Sequence, residues 1–226
     1  MKKFGIGCGI VAVIGIVVLA IFIAIAGGSY NRLVKLSQGV DSQWAQVQNV
    51  YQRRADLIPN LVKTVEGAAN FEKSTLEDVT RARASVGQVQ INPGSAPTDP
   101  AKLAEFQAAQ GQLSSALSRL LVVSERYPEL RANGNFRDLQ AQLEGTENRI
   151  SVERGRFNEA VQAYDTAIRS FPANLYAGAF GFKEKPYFAA TAGAETPPKV
   201  DFNFGNTTPT PKPAPAPVPT PAPEKQ

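Results

Sequence analysis

Lys2 and Lys3 are followed by an uncharged apolar run, Phe4 to Ala26, built from Ile, Val, Ala, Gly, Leu and Phe with a single Cys. As a helix, about 23 such residues reach about 35 Å, enough to cross a hydrocarbon core of about 30 Å. No other stretch of the chain comes close. Ala24-Ile25-Ala26 before Gly27 has the small-x-small form of a signal cleavage site. The run is nevertheless much longer than the roughly 7–15 apolar residues of a cleaved signal. The reading is therefore a short flank, 1–3, then a retained transmembrane signal anchor over 4–26. Cys8 stands near the start of the run, where it is read as an apolar lining residue and not as a lipid attachment site.

The remainder is long enough for one domain with a real core. A net charge of +4 is spread along the chain, and nucleic acid is not an expected partner because that usually needs a concentrated basic stripe. With one Cys, no intrachain disulfide and no thiolate metal cluster can form. The chain has no His, which removes the commonest general acid or base, the commonest metal ligand and the usual activator of a Ser or Cys nucleophile. Glu144, Glu147, Glu153 and Glu159 invite comparison with carboxylate-bridged metal bundles, but those need Glu-x-x-His pairs. A non-enzymatic protein with no catalytic residues, cofactor or metal is expected.

Proline marks the boundaries. Of 17 prolines, ten lie between Pro197 and Pro223, so 189–226 reads as a disordered polyproline-type tail that cannot bury a core. A second loop lies at Asn92–Pro100. Asp99 can cap a helix with Pro100 in its first turn, and the stripe Leu103, Phe106, Gln110, Leu113, Leu117, Leu120, Ser124, Tyr127 steps by three and four. The polar members Gln110, Ser124 and Thr146 are read as register-setting core positions. Pro128 kinks that helix's last turn or starts a short one, and Asn133-Gly134-Asn135 restarts the next. That helix carries Phe136, Leu139, Leu143, Thr146, Ile150, Phe157, Val161, Tyr164 and Ile168.

Before the loop, Leu33, Leu36, Val40, Trp44, Val47 and Tyr51 make one stripe, and Ile58, Leu61, Val65 and Ala68 or Ala69, continued by Leu76, Val79 and Val86, a second, with Pro59 at its start. Asp56 can cap a new helix with Pro59 in its first turn. A reversal near Arg53–Asp56 gives four segments of comparable length. The predicted fold is therefore all-α: a transmembrane helix, an antiparallel up-and-down four-helix bundle over 29–188, and the tail.

At this level of detail the chain resembles the LemA family. The resemblance rests on Tyr30-Asn31-x-Leu33-Val34-x-Leu36 with Val40, Trp44 and Val47, then on Gln52 to Val62 (Gln-Arg-Arg-x-Asp-Leu-Ile-Pro-Asn-Leu-Val). Ala82-Arg83, Leu113-x-x-Ala116-Leu117, Glu125-x-Tyr127-Pro128-x-Leu130, Gly181-Phe182 and Pro186-Tyr187-Phe188 extend it over roughly Ser29 to Phe188. It implies a bacterial protein with one N-terminal membrane helix and an up-and-down helical bundle. It carries no catalytic residues and no settled molecular activity, although magnetosome-associated members suggest a role in membrane organisation.

Two clusters stand out as candidate sites. Arg53, Arg54, Asp56 and Asn60 form the densest polar group beside an apolar stripe. They read as a helix junction whose guanidinium groups are satisfied internally, or as a patch for an acidic segment or a lipid phosphate. Phe171 to Phe188 packs Tyr176, Phe180, Phe182, Tyr187 and Phe188 among Gly, Ala and Pro without a helical period. Either these rings seal the end of the bundle, or they dock a partner or the lipid interface with Lys183 and Lys185.

The partners expected are the lipid bilayer through 4–26 and other membrane or envelope proteins. Gly5, Gly7, Gly9 and Gly15 offer small faces for homo-oligomer contacts. The role expected is a membrane-anchored scaffold or adaptor, with a laterally assembling, lipid-binding protein as the rival. The location expected is a bacterial cytoplasmic membrane. The export-signal character of the N-terminus and the spacer-like tail favour an extracytoplasmic bundle, whereas the family is predicted the other way round.

Overall fold

The computed structural model describes residues 2–67, 71–89 and 94–189, with side chains from residue 13 onward apart from 18, 19 and 22. The predicted Pro-rich tail beyond residue 189, the predicted stripe positions Ala68 and Ala69, and Cys8's side chain lie outside these. The elements are α1 (Lys2–Glu66), α2 (Lys73–Gln88), α3 (Pro100–Ser124), the short α4 (Pro128–Ala132) and α5 (Gly134–Arg169), followed by a 3-10 turn at Ala173–Leu175. No strand occurs among the described residues.

The antiparallel up-and-down bundle holds. Ile58, Leu61 and Val65 late in α1 share a cluster with Leu76 and Val79 early in α2. Leu113 to Leu120 late in α3 and Phe136 and Leu143 early in α5 complete it. Val40, Trp44 and Tyr51 meet Leu103 and Phe106 at the start of α3 and Phe157, Val161 and Tyr164 late in α5. Successive long helices therefore run in opposite directions. The apolar steps of three and four on α3 and α5 are the buried ones, with Tyr127, Leu139 and Ile168 partly covered. Asp99 caps α3, accepting from Ala101 N at 2.9 Å with Pro100 in the first turn, and Asn133 caps α5, accepting from Asn135 N at 2.9 Å.

The predicted reversal at Arg53–Asp56 does not occur. α1 is one helix of 65 residues that passes through Pro59 and ends at Glu66, and α2 begins at Lys73. Asp56 accordingly caps nothing and instead accepts from the Gln52 side chain one turn back, at 2.7 Å. A proline inside a helix leaves the carbonyl four residues earlier without its donor. Here that carbonyl belongs to Ala55, and Arg83 Nε on α2 donates to it at 3.1 Å. The neighbouring helix supplies the hydrogen bond that Pro59 cannot, which gives the Ala82-Arg83 motif a physical reason. Arg83→Ala is expected to cost about 1 kcal/mol in the native chain and almost nothing in a Pro59→Ala background, where the restored amide fills the same carbonyl. Urea unfolding of the four variants checks this; equal losses in both backgrounds overturn it.

α5, with 36 residues, is the partner that covers the bundle portion of α1. Residues 2–32 continue the same helix beyond Leu33, the first buried position among the described side chains of α1, by about 46 Å at 1.5 Å per residue. Val13, Ile14, Ile16, Val17, Ile21, Ile23 and Ile25 there are all more than half exposed. Among the described residues no helix is long and apolar enough to cross a membrane. The predicted span 4–26 falls for more than half its length on residues of which only the helical backbone is described.

Candidate functional site

Two polar assemblies organise the bundle, and the first is centred on Arg54. It follows Tyr51 by three and precedes Ile58 by four, so the helix carries it inward, and it is 1% exposed. Its Nη1 donates to Glu147 Oε2 and to Ser114 Oγ, each at 2.8 Å. Nη2 donates to the Gln110 side-chain oxygen and, at 3.5 Å, to the Gln110 carbonyl. The guanidinium also lies 5.2 Å from the Tyr51 ring centroid. Burial pushes the Tyr51 hydroxyl above its ordinary pKa, with the nearby Arg154 and Arg54 opposing. Arg54 thus ties α1 to α3 and α5. Arg53, Asp56 and Asn60 are exposed, and the structure does not gather them around Arg54. Buried Ser124 and Thr146 donate within their own helices, to the carbonyls of Leu121 and Gln142.

The second assembly fastens the C-terminal segment. Gly181, at φ +81, swings the chain out of the loop after α5, and residues 183–189 then run extended across α1 and α5 as a strap. α2 covers only the half of the bundle near the α1–α2 turn, so the strap covers part of the other half. Phe188 stacks on Trp44 at 6.0 Å, meets Phe157 edge-on at 5.3 Å, and takes the Arg154 guanidinium over its face at 4.8 Å. Asn158 holds both backbone groups of Phe188: its oxygen accepts from the amide at 2.9 Å and its nitrogen donates to the carbonyl at 3.1 Å. Lys185 is buried, donating from Nζ to Asp41 Oδ1 at 2.7 Å and from its amide to Asp165 Oδ1 at 3.2 Å. Asp41 also accepts from Ala96 N at 3.0 Å, so one carboxylate secures both the strap and the 94–99 loop.

Asp165 is buried, and desolvation raises its pKa above the ordinary 3.8; the Lys185 amide, Arg169 and the Tyr187 hydroxyl work against the rise, and Glu184 adds to it. The folded state therefore holds this proton more tightly than the unfolded state. Its contribution to stability falls as pH rises from 3.8 through the raised value. Asp165→Asn keeps the acceptor for the Lys185 amide, so it is expected to flatten that part of the stability–pH curve and to be the more stable form at neutral pH. Urea midpoints of both proteins between pH 4 and 8 check this, and parallel curves overturn it.

The predicted aromatic cluster is split. Phe188 is core; Tyr176 and Phe182 are partly buried; Tyr187 and Phe180 are 46% and 64% exposed. Lys185, grouped with Lys183 from sequence as a surface cation, is instead an internal fastener. Asp41, Asp165, Asn158 and Arg154 were not legible as strap contacts, although Asp165 directly follows the seam residue Tyr164. Arg83 stood in a recognised motif without a visible partner.

These features define a class: an up-and-down four-helix bundle, built without histidine, whose first helix extends far past the core and whose C-terminal strap closes one side. Residues 43–202 match the model of the LemA family, and the chain belongs to that family. It is 27% identical over 200 residues to Magnetosome protein MamQ 2 of Paramagnetospirillum magneticum, covering 82% of this chain and 74% of that protein. Magnetosome protein MamQ of Magnetospirillum gryphiswaldense is 26% identical over 199 residues (81% and 73%). Protein LemA of Metamycoplasma hominis is 22% identical over 162 residues (72% and 69%). None of these names denotes an enzymatic activity.

Proposed function

We propose that the protein is a membrane-anchored, non-enzymatic helical scaffold, with residues 4–26 as the bilayer-spanning part of α1. The observation that carries this reading is the unbroken α1, which runs from the apolar segment into the bundle core without a loop. Whatever holds the segment thereby sets the height and heading of the bundle. Arg54, Lys185 and Asp165 are buried and bonded within the fold, which leaves the outer helix faces, with Arg53, Asp56 and Asn60, as the surface offered to membrane or envelope proteins. The bundle is proposed to lie outside the cytoplasm.

Alkaline carbonate extraction of membranes tests the anchor: the full chain stays in the pellet and a chain lacking 2–26 is released. Release of the full chain overturns it. An impermeant maleimide on Thr220→Cys in intact cells tests the orientation, with labelling before lysis expected. A second reading, a lipid-binding protein that organises membranes laterally, is favoured by the exposed rings beside α1 and by the relatives named for magnetosomes. Crosslinking of the 29–226 chain into oligomers on protein-free liposomes, absent without liposomes, would support that reading over the scaffold.

A further inference from the structure

One end of the bundle carries apolar side chains that the core does not use. After α5, residues 170–181 fold back against α1. Ala173 and Ala177 are buried with Leu33, and the Tyr176 hydroxyl donates to the Ala26 carbonyl at 3.3 Å. The Phe180 and Phe182 rings meet Tyr30 edge-on at 5.4 and 5.5 Å. This inner set glues the loop to α1. An outer set remains open: Phe171 and Leu175 are 75% and 66% exposed, and Phe180, although one side of its ring meets Tyr30, is still 64% exposed.

Two observations indicate what covers the outer set. The first is level: the loop touches α1 at Ala26 and Tyr30, where the apolar run ends, and exposed Ile21, Ile23 and Ile25 lie immediately before. The loop is thus fastened to α1 at the end of its apolar run. The second is charge. Arg32 and Lys35, on the next turns of α1, and Lys183, beside Phe182, are exposed, while Glu184 is held by Arg169 through two hydrogen bonds of 2.7 and 2.8 Å. Rings and aliphatic chains flanked by cations suit the boundary between acyl chains and anionic headgroups.

We propose that Phe171, Leu175 and Phe180 insert into the interfacial layer of the bilayer that α1 enters, with Arg32, Lys35 and Lys183 at the level of the phosphates. This rests on the anchor reading and deepens it, making the bundle a body seated on the membrane instead of one held off it.

Depth measurement on the full chain tests it. In a Cys8→Ala background reconstituted into mixed phosphatidylcholine and phosphatidylglycerol vesicles, a nitroxide is placed on Leu175→Cys or Phe180→Cys. Ile16→Cys serves as the bilayer reference, and Val122→Cys, an exposed site on α3, as the water reference. Collisions with oxygen are expected to exceed those with a water-soluble nickel chelate at 175 and 180, with nickel collisions several-fold below those at 122. Nickel access equal to that at 122, with a lipid-like signal at 16, overturns the seating and leaves the anchor. Water-like signals at 16, 175 and 180 overturn both. Low access to both reagents with spin–spin broadening assigns the face to a second copy of the chain and overturns the lipid assignment.

Discussion

Glu147→Leu is expected to destabilise the bundle by about 2–3 kcal/mol, and adding Arg54→Met to it is expected to recover most of that loss. The reason is an asymmetry in burial. The Arg54 side chain is 2% exposed, whereas that of Glu147 is 52% exposed. When Arg54 is removed, Glu147 returns to water at small cost, and methionine follows the path of the arginine methylenes. When Glu147 is removed, Arg54 keeps a charge that cannot be rehydrated, with only the neutral Ser114 and Gln110 as hydrogen-bond partners. Breaking a buried pair from one side costs more than replacing both members with apolar groups. Arg54→Met alone is therefore expected to cost less, about 1–2 kcal/mol. The only tryptophan, Trp44, is 0% exposed, so its emission reports unfolding in urea without a label. A Glu147→Leu protein as stable as the parent would mean that Arg54 reaches solvent and is available to a ligand.

Phe188→Ala is expected to cost about 3–4 kcal/mol and to open the strap. The ring is 5% exposed and sits on both Trp44 and Phe157. Its loss removes apolar burial and the ledge that Arg154 covers, while the Asn158 bonds to the backbone remain. With Lys185 still fastened to Asp41 and Asp165 further back, two hydrogen bonds of about 1 kcal/mol each do not hold the 186–189 end of the segment against its regained entropy. Acrylamide quenching of Trp44 under native conditions is therefore expected to rise in Phe188→Ala and to stay at the parent level in Tyr187→Ala, whose ring is 46% exposed. Unchanged quenching in Phe188→Ala would show that Asn158, Asp41 and Asp165 suffice to hold the strap.

The bundle was readable because its stripes keep a strict phase. Leu103 to Ser124 on α3 and Phe136 to Tyr164 on α5 are buried much as their spacing predicts, and the Asp99 and Asn133 caps act where their chemistry places them. The reversal near Arg53 went wrong because Pro59 outweighed the phase. Tyr51, Arg54, Ile58, Leu61 and Val65 keep the same steps of three and four across the proline, which a chain reversal would not preserve. What permits the continuous helix is a donor 28 positions away, and no local pattern reveals it. The strap was unreadable for a related reason. It has no period of its own, and its place is fixed by side chains of Asp41, Asn158 and Asp165 that look like ordinary helix surface. The Arg54 junction fell between these cases: its seam position was legible, its three partners were not.

The continuity of α1 has a mechanical meaning. A helix advances about 1.5 Å and turns about 100° with each residue, so this one works as a threaded shaft between the apolar segment and the bundle. Lengthening it by a single residue between Gly27 and Ser29 would turn the whole bundle by roughly a quarter of a revolution while barely lifting it. The length of that stretch therefore sets which face of the bundle is presented to its neighbours, independently of the chemistry on any face.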